Sequence, residues 1–515
     1  DWVADPLGTG RERLTPLVEL LLREAVLIRG ALLTSDDEAR VCARICDAEN
    51  YDILLRLGRA QRRGVVQALP LADLPLLLAQ YQGVGGGDGS AGEAEADGPT
   101  RVARHLAQLS GWRAGAAQWE AALLPARLPD YQPAWLDAVL QEGELIWRGC
   151  GPGRLTFYYH DELDLLTALN SGISAGKGEG GQEAGKAGQK LTIQTDDDPL
   201  SRMGNPAARY PFASLVGDSP RDRVYDRIWQ AVWEGGLVND GFQAVRQGVA
   251  NKFKWPAAGS PESVPGMGRL RSAHGRGRRS AYGRRPRQLT VPGNWYSPAP
   301  PPTSEDELAA LEVDKERIRL LLGRYGLLFR TLLTRESEAF SWGRLFRALR
   351  LMELAGEVVG GHFIEGAPGP QFISRQLLRT LVHGLDGEVI FFLSAADPAS
   401  VCGLGLDWEE ALAPHRGLRP PARRPGTYLV YHGNRLVMIS RRRGRRLTFS
   451  VNYDDKNIPK YIDVIDHILK YKINNGSAVV IEEINEEPAP ASPYLEPLRA
   501  RFEVDVAPNG VTVYR

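Results

Sequence analysis

Leu349-Arg-Leu-Met-Glu-Leu-Ala-Gly-Glu-Val-Val-Gly360 is the stretch whose reading decides the fold. Its apolar residues recur at helical spacing, the chain meets Gly356, and two adjacent strand formers follow at once. Glycine at that point suits a left-handed helix end. The design occurs twice more, in Leu136-Asp-Ala-Val-Leu-Gln-Glu-Gly-Glu-Leu-Ile-Trp147 and in Ile228-Trp-Gln-Ala-Val-Trp-Glu-Gly-Gly-Leu-Val-Asn239. Gly143 and Gly235 stand where Gly356 stands, so the chain repeats one helix-into-hairpin unit.

Working outward from the third copy completes that unit. Asp306 to Tyr325 reads as a helix, and Leu327 to Arg335 as a second, short helix after Gly326. Ser341 is a candidate N-cap for a third helix, Trp342 to Ala355, with Leu345, Phe346, Leu349 and Met352 at core spacing. Val358 to Glu365 and Gln371 to Ile373 then form a hairpin around Gly366-Ala-Pro-Gly369. Three helices and a hairpin make a winged helix, whose third helix commonly enters the DNA major groove while the wing rests on the backbone. The same fold also serves as a packing module that touches no DNA.

Beyond the third copy the period changes. Glu388 to Leu393, Gly426 to Tyr431, Arg435 to Ser440 and Arg446 to Asn452 read as strands, with turns at His432-Gly-Asn434 and Gly444. They predict a small β-barrel. A helix from Lys460 to Ile473 and strands at Ala478 to Ile484 and Gly510 to Tyr514 predict a closing α+β piece. The fold class is therefore α+β: tandem winged-helix domains, a small β-barrel and a C-terminal α+β piece. Gly-, Ala- and Pro-rich stretches at 83–100, 171–190 and 256–302 read as linkers, the last interrupted by a strand-like piece from Gln288 to Tyr296. They divide the chain into an N-terminal helical or winged-helix domain (1–82), winged helices at 101–170, 191–255 and 303–384, a β-barrel with an Arg-rich hairpin (385–455) and the closing α+β domain (456–515). The chain opens on Asp1 rather than Met, so it reads as a fragment or a processed protein.

Formal net charge is zero, which argues against a uniformly basic polyanion binder, but the arginines clump. Arg269 to Arg287 holds eight Arg and no acid, and Ala411 to Tyr453 holds ten Arg and no acid. The sharpest concentration is Arg441, Arg442, Arg443, Arg445 and Arg446 around Gly444, at an expected hairpin tip. Guanidinium groups pair bidentately with phosphate, so such a finger suits DNA; a charged, solvated edge turn is the alternative. Arg344 and Arg347 on the third helix join the candidate contacts, as do Arg324, Tyr325 and Gln371. Core packing competes with base stacking for Tyr325 and Trp342.

Several chemistries find no support. Gly172-Ile-Ser-Ala-Gly176-Lys177 has the wrong spacing for a phosphate loop and sits in a linker. Asp196-Asp-Asp198 has no partners for a metal. Cys42 and Cys46 lie one helical turn apart without a second pair, so buried reduced thiols fit better than zinc. Eight scattered His build no nucleophilic triad. No apolar run is long enough to span a membrane.

Many short motifs, in order, resemble the C-terminal region of bacterial Lhr-type (large helicase-related) DNA helicases. They are Leu123-Leu-Pro-Ala-Arg127 with Tyr131 to Leu136, the Trp295-Tyr296 strand, Arg324-Tyr-Gly-Leu-Leu328, Gly361-His-Phe-Ile-Glu-Gly366 with Gln371-Phe372, Ala396-Asp-Pro-Ala399, and Glu487-Pro through Ser492-Pro493. The resemblance runs from about Leu69 to Arg515. It implies a DNA-binding array attached to an upstream motor in the same polypeptide, a motor of 3′-to-5′ polarity linked to DNA repair. ATP and Mg²⁺ would belong to that motor, with no cofactor in this chain. DNA, single-stranded or branched, is the expected partner, a second copy of the chain a further one, and the cytoplasm and nucleoid the expected location.

The chain also resembles the winged-helix DNA glycosylases. Pro133-Ala-Trp-Leu-Asp137 through Leu145 matches a helix of that family, and Ala395-Ala-Asp397-Pro398 falls where it carries an aromatic-Asp-Pro. The family's Gln-containing catalytic triplet falls on Leu109-Ser110-Gly111, which lacks both carboxamide and carboxylate. Asp397 is then the candidate catalytic carboxylate for excising uracil or an alkylated base, with an Asp-Pro turn as its alternative. A third reading is an assembly module holding helicase subunits together.

Overall fold

The computed structural model describes residues 11–24, 26–30, 44–47, 67–85, 96–169, 199–205, 207–255, 291–298, 307–409, 418–471 and 478–515. The Arg269–Arg287 run, the Gly172–Lys177 and Asp196–Asp198 segments and Cys42 lie outside them. Backbone contacts divide the chain into two units, 1–67 and 68–515. In the smaller unit, a helix at Arg11–Arg23 precedes an antiparallel pair of strands, Leu27–Gly30 and Arg44–Asp47.

The larger unit contains the three repeats. Gly143, Gly235 and Gly356 all have positive φ, at 82°, 74° and 75°, and each ends a helix: Pro133–Glu142, Arg221–Trp233 and Trp342–Leu354. A side chain would strain all three, which is why glycine recurs there. Each helix feeds a wing strand: Leu145–Gly149, Val238–Asn239 and Val358–Gly361. In every copy that strand pairs with a later one, which also pairs with a short strand near the start of the unit. The central strands are Arg154–Tyr159, Asn294–Tyr296 and Gln371–Ser374, and the short ones Ala114–Gly115, Tyr210–Pro211 and Leu327–Phe329.

Two features depart from the sequence reading. Leu327–Phe329 is a strand rather than the start of a second helix; short 3₁₀ turns at Leu332–Arg335 and Glu338–Phe340 take that helix's place. An all-apolar triplet carries no period, and its pairing with Gln371–Ser374, some forty residues on, decides its state. Residues 68–82, read with the N-terminal block, pack on the last winged helix. Leu69 N donates to Phe363 O at 2.8 Å, Glu365 N donates to Leu69 O at 2.9 Å, and Tyr81 Oη donates to Leu322 O at 2.8 Å.

The expected barrel strands form an open six-stranded sheet. Its order is Ile390–Ser394, Tyr428–His432, Arg435–Arg441, Arg446–Phe449, Glu483–Ile484, Glu487–Pro488, and among the described residues its end strands do not pair with each other. Both faces are covered: Tyr428 and Val430 belong to one apolar core, Leu429 and Tyr431 to another. That explains near-continuous apolar strands without requiring closure. The closing piece, with helices Ile458–Tyr461 and Asp463–Lys470, adds a three-stranded sheet in the order Ala478–Ile481, Gly510–Tyr514, Glu503–Ala507.

Candidate nucleic-acid interface

The three third helices differ in what they show to solvent. Pro133–Glu142 carries no Lys or Arg, and its Asp137 is held by Arg246 of the next unit. Arg246 Nη1 donates to both Asp137 oxygens at 2.9 and 2.8 Å, while its Nε and Nη2 each donate to Glu120 at 2.9 Å. Burial lowers the Arg246 pKa, but the two carboxylates outweigh it and raise it above the ordinary value. This helix is a packing surface. Arg221–Trp233 mixes Arg221, Arg223 and Arg227 with Asp222 and Asp226.

Trp342–Leu354 is different. It presents Arg344, Arg347 and Arg350 to solvent, three residues apart, while Leu345, Ala348, Leu349 and Met352 are buried. Steps of three drift by about 60° around a helix, so the guanidiniums fan over one side of the rod. Arg344 Nε lies 2.9 Å from Asp314, and Arg350 Nη1 lies 2.6 Å from Glu353; both arginines are about half exposed. Arg347 makes no ion pair among the described residues.

The Arg-rich hairpin is present, with Arg441 paired to Arg446. Arg442 and Arg443 occupy the left-handed region at φ 53° and 57°, and both are exposed. Non-glycine residues there cost about 1–2 kcal/mol each. Arg441 Nη1 donates to Thr448 Oγ1 at 2.9 Å. Arg445 and Arg446 pair with Glu482 and Glu483 at 2.9 and 2.8 Å, because the strand Glu483–Ile484 runs alongside. The tip thus divides into two unneutralised arginines and three engaged ones.

The remaining sequence candidates lie inside the protein. Arg324 is fully buried, ion-paired with Glu336 at 2.6 Å and bonded to Ser110 O. Tyr325 is buried as well and donates to Glu336; burial pushes its phenol up to about 12. Gln371 ties down the wing loop: its Oε1 accepts from Phe363 N (2.9 Å) and Ile364 N (2.8 Å), and its Nε2 donates to Ile364 O (2.9 Å) and Ala367 O (3.1 Å).

Asp397 and Arg127 form a two-point ion pair at 2.9 and 3.0 Å with both side chains fully enclosed. Asp397 also accepts from Ala399 N at 2.8 Å. Two more arginines grip the same turn: Arg335 donates to Ser400 O and Pro398 O, and Arg423 donates to Ala396 O. Arg324, Arg335 and Arg423 also lie 5.6, 5.9 and 4.8 Å from the Trp112 ring. Burial, with Arg335 beside it, brings Arg423 down to about 10. Leu109 and Ser110 are buried, Ser110 donates to Glu162, and Gln108 is spent on Tyr81 O and Gly323 O at 3.1 and 3.2 Å. Of this arginine cluster sequence reasoning picked out Arg324 alone. The runs Leu123–Arg127 and Ala396–Ala399 were its visible traces.

Three units in which a helix ends at a positive-φ glycine and feeds a wing strand define a protein of the winged-helix class. Residues 308–387 and 70–160 match two distinct models for a winged-helix domain of the large helicase-related protein, the fourth and third domains of that array. The chain is similar to the C-terminal, winged-helix region of Lhr-type proteins. Over 420 residues it is 27% identical to the Lhr helicase/ probable uracil glycosylase of Mycolicibacterium smegmatis, covering 78% of this chain and 25% of that protein. Over 502 residues it is 26% identical to the Lhr helicase/uracil glycosylase of Escherichia coli, covering 92% of this chain and 29% of that protein. The chain therefore spans between a quarter and a third of the length of these relatives. Among solved structures it is similar to the DNA glycosylase AlkZ of Streptomyces sahachiroi, at 13% identity and a TM-score of 0.42, over 79% of this chain and 97% of that one. Among the described residues no helix is long and apolar enough to cross a membrane.

Proposed function

We propose that this chain binds DNA through the exposed side of the helix Trp342–Leu354, assisted by Arg442 and Arg443 at the hairpin tip, and that it does so for a 3′-to-5′ helicase motor acting in DNA repair. The carrying observation is the contrast between equivalent helices: one offers Arg344, Arg347 and Arg350 to solvent, while its counterpart Pro133–Glu142 has no basic residue and is closed off by Arg246. Sequence-independent affinity comes from cations releasing counterions from phosphates, which suits guanidiniums on a helix meant for a groove. Single-stranded or branched DNA is the substrate this role calls for.

The test is fluorescence anisotropy of labelled single-stranded and forked DNA across salt concentrations. Replacing Arg344, Arg347 and Arg350 with Gln should lower the slope of log affinity on log salt by about 2–3, the number of phosphate contacts removed. An unaltered slope would refute the assignment.

The names of both relatives favour a second reading, excision of uracil from DNA. For this chain that reading has to find its carboxylate elsewhere if Asp397 stays locked to Arg127. Release of uracil from a uracil-containing oligonucleotide, followed by alkali cleavage, tests it directly.

A further inference from the structure

Between the first two repeats lies a cavity of about 530 Å³ that the DNA-binding surface does not use. Its walls come from the end of the helix Pro133–Glu142 and the strand after it on one side, and from the turn after Val238–Asn239 with the strand Asn294–Tyr296 on the other. That volume falls within the roughly 300–1,000 Å³ typical of small-molecule sites, which favour junctions between domains. Tyr296 supplies the accessible aromatic wall; Trp147 and Phe242 border the cavity but are 0% and 1% exposed.

The charges of the cavity are already compensated. Both oxygens of Asp137 are taken by Arg246. Asp240 accepts from Asn294 N and Asn294 Nδ2, each at 2.8 Å, and pairs with Arg209 at 3.3 Å. No surplus of positive charge is left inside to hold a phosphate. What is left is neutral and directional: among the described residues, the Gln141 side chain, the Gln243 amide nitrogen and the Tyr296 hydroxyl make no hydrogen bond to another residue. Arg209, more than half exposed, lies at the rim with its guanidinium carbon 5.3 Å from the Tyr296 ring centroid.

We propose that this cavity receives one unstacked nucleobase of a bound DNA strand. The base lies against the Tyr296 wall, its polar edge meets the Gln141 and Gln243 amides, and its flanking phosphate stays outside beside Arg209. The inference rests on the DNA-binding reading above but concerns a separate surface. An aromatic wall with uncommitted amides suits a planar heterocycle with a donor–acceptor edge, and stacking of this kind tolerates many sequences.

Single-stranded oligonucleotides carrying one 5-iodouracil, irradiated at long wavelength on the full chain, report the contact by a zero-length crosslink mapped by mass spectrometry. The expected product is a crosslink on Tyr296, lost in Tyr296→Ala. Gln243→Leu, which leaves Asp137 and Glu120 to hold Arg246, should keep the wild-type melting temperature and weaken binding by up to about tenfold. Intact anisotropy binding with crosslinks only on other peptides, and with Gln243→Leu binding as wild type, would overturn this proposal alone. Absence of any DNA binding by the wild-type chain would remove the DNA-binding reading and this one together.

Discussion

Replacing Asp397 with Asn separates a structural carboxylate from a catalytic one. The change keeps the volume and removes the charge. Both Asp397 oxygens face Arg127 nitrogens, at 2.9 and 3.0 Å, and one also faces Ala399 N at 2.8 Å. An amide must turn its NH₂ toward one of these donors, so a donor–donor contact replaces a charge-assisted bond. Both side chains are wholly shielded, so solvent screening offers no relief. Breaking a buried pair by neutralising one member costs about 3–5 kcal/mol, chiefly because the surviving charge is stranded. At roughly 2 °C per kcal/mol for a large cooperative unit, the melting temperature should fall by on the order of 6–10 °C, read by calorimetry at one scan rate. The double change Arg127→Met with Asp397→Leu should melt above Arg127→Met alone, because no lone charge is left inside. An Asp397→Asn protein that melts with wild type yet loses uracil release would refute the structural reasoning and make this carboxylate the catalyst.

Arg442→Gly with Arg443→Gly removes two strained left-handed side chains and two free cations. The variant should melt at or above the wild-type temperature and bind DNA more weakly, as paired melting and anisotropy measurements would show. Gly356→Ala should cost about 1 kcal/mol in a denaturant titration, since φ is 75° there and the methyl, 3.3 Å from Arg375 Nη2, needs only a small shift of that flexible side chain. Burial brings His467 down to about 4, with its Nε2 beside Ala121 O at 3.0 Å. Its folded pKa lies below the ordinary 6.5, so the unfolded chain binds the proton more readily. That stability is complete above about pH 6.5 and fades as pH falls toward 4, by roughly 3 kcal/mol. Melting temperature against pH should decline over that window, and less steeply in His467→Gln.

The repeat was legible because glycine at a positive-φ helix end has few substitutes, so Gly143, Gly235 and Gly356 announced three helix-to-wing joints. The strands from Ile390 to Phe449 were legible through their apolar runs and their Gly turns. Closure of that sheet was not, because a strand buried on both faces reads alike in a barrel and between two cores. At the site, local patterning found the arginines but not their partners. Arg445 and Arg446 meet Glu482 and Glu483 only because a parallel strand arrives nearly forty residues later. Arg127 lies 270 positions from Asp397, a separation over which no sequence period survives. Arg324 sits one residue before Tyr325 at the end of an amphipathic helix. Its burial depends on Glu336 folding back over it, which charge counting alone cannot foresee.

Arg127, Arg335 and Arg423 converge on a single six-residue turn, 395–400, from three separate stretches of chain. A backbone nick in the connections between those stretches would therefore leave the pieces travelling together as one particle. Expressing any one of them alone would strand a buried cation or its acceptor, so independently soluble fragments should be hard to obtain from within 97–430.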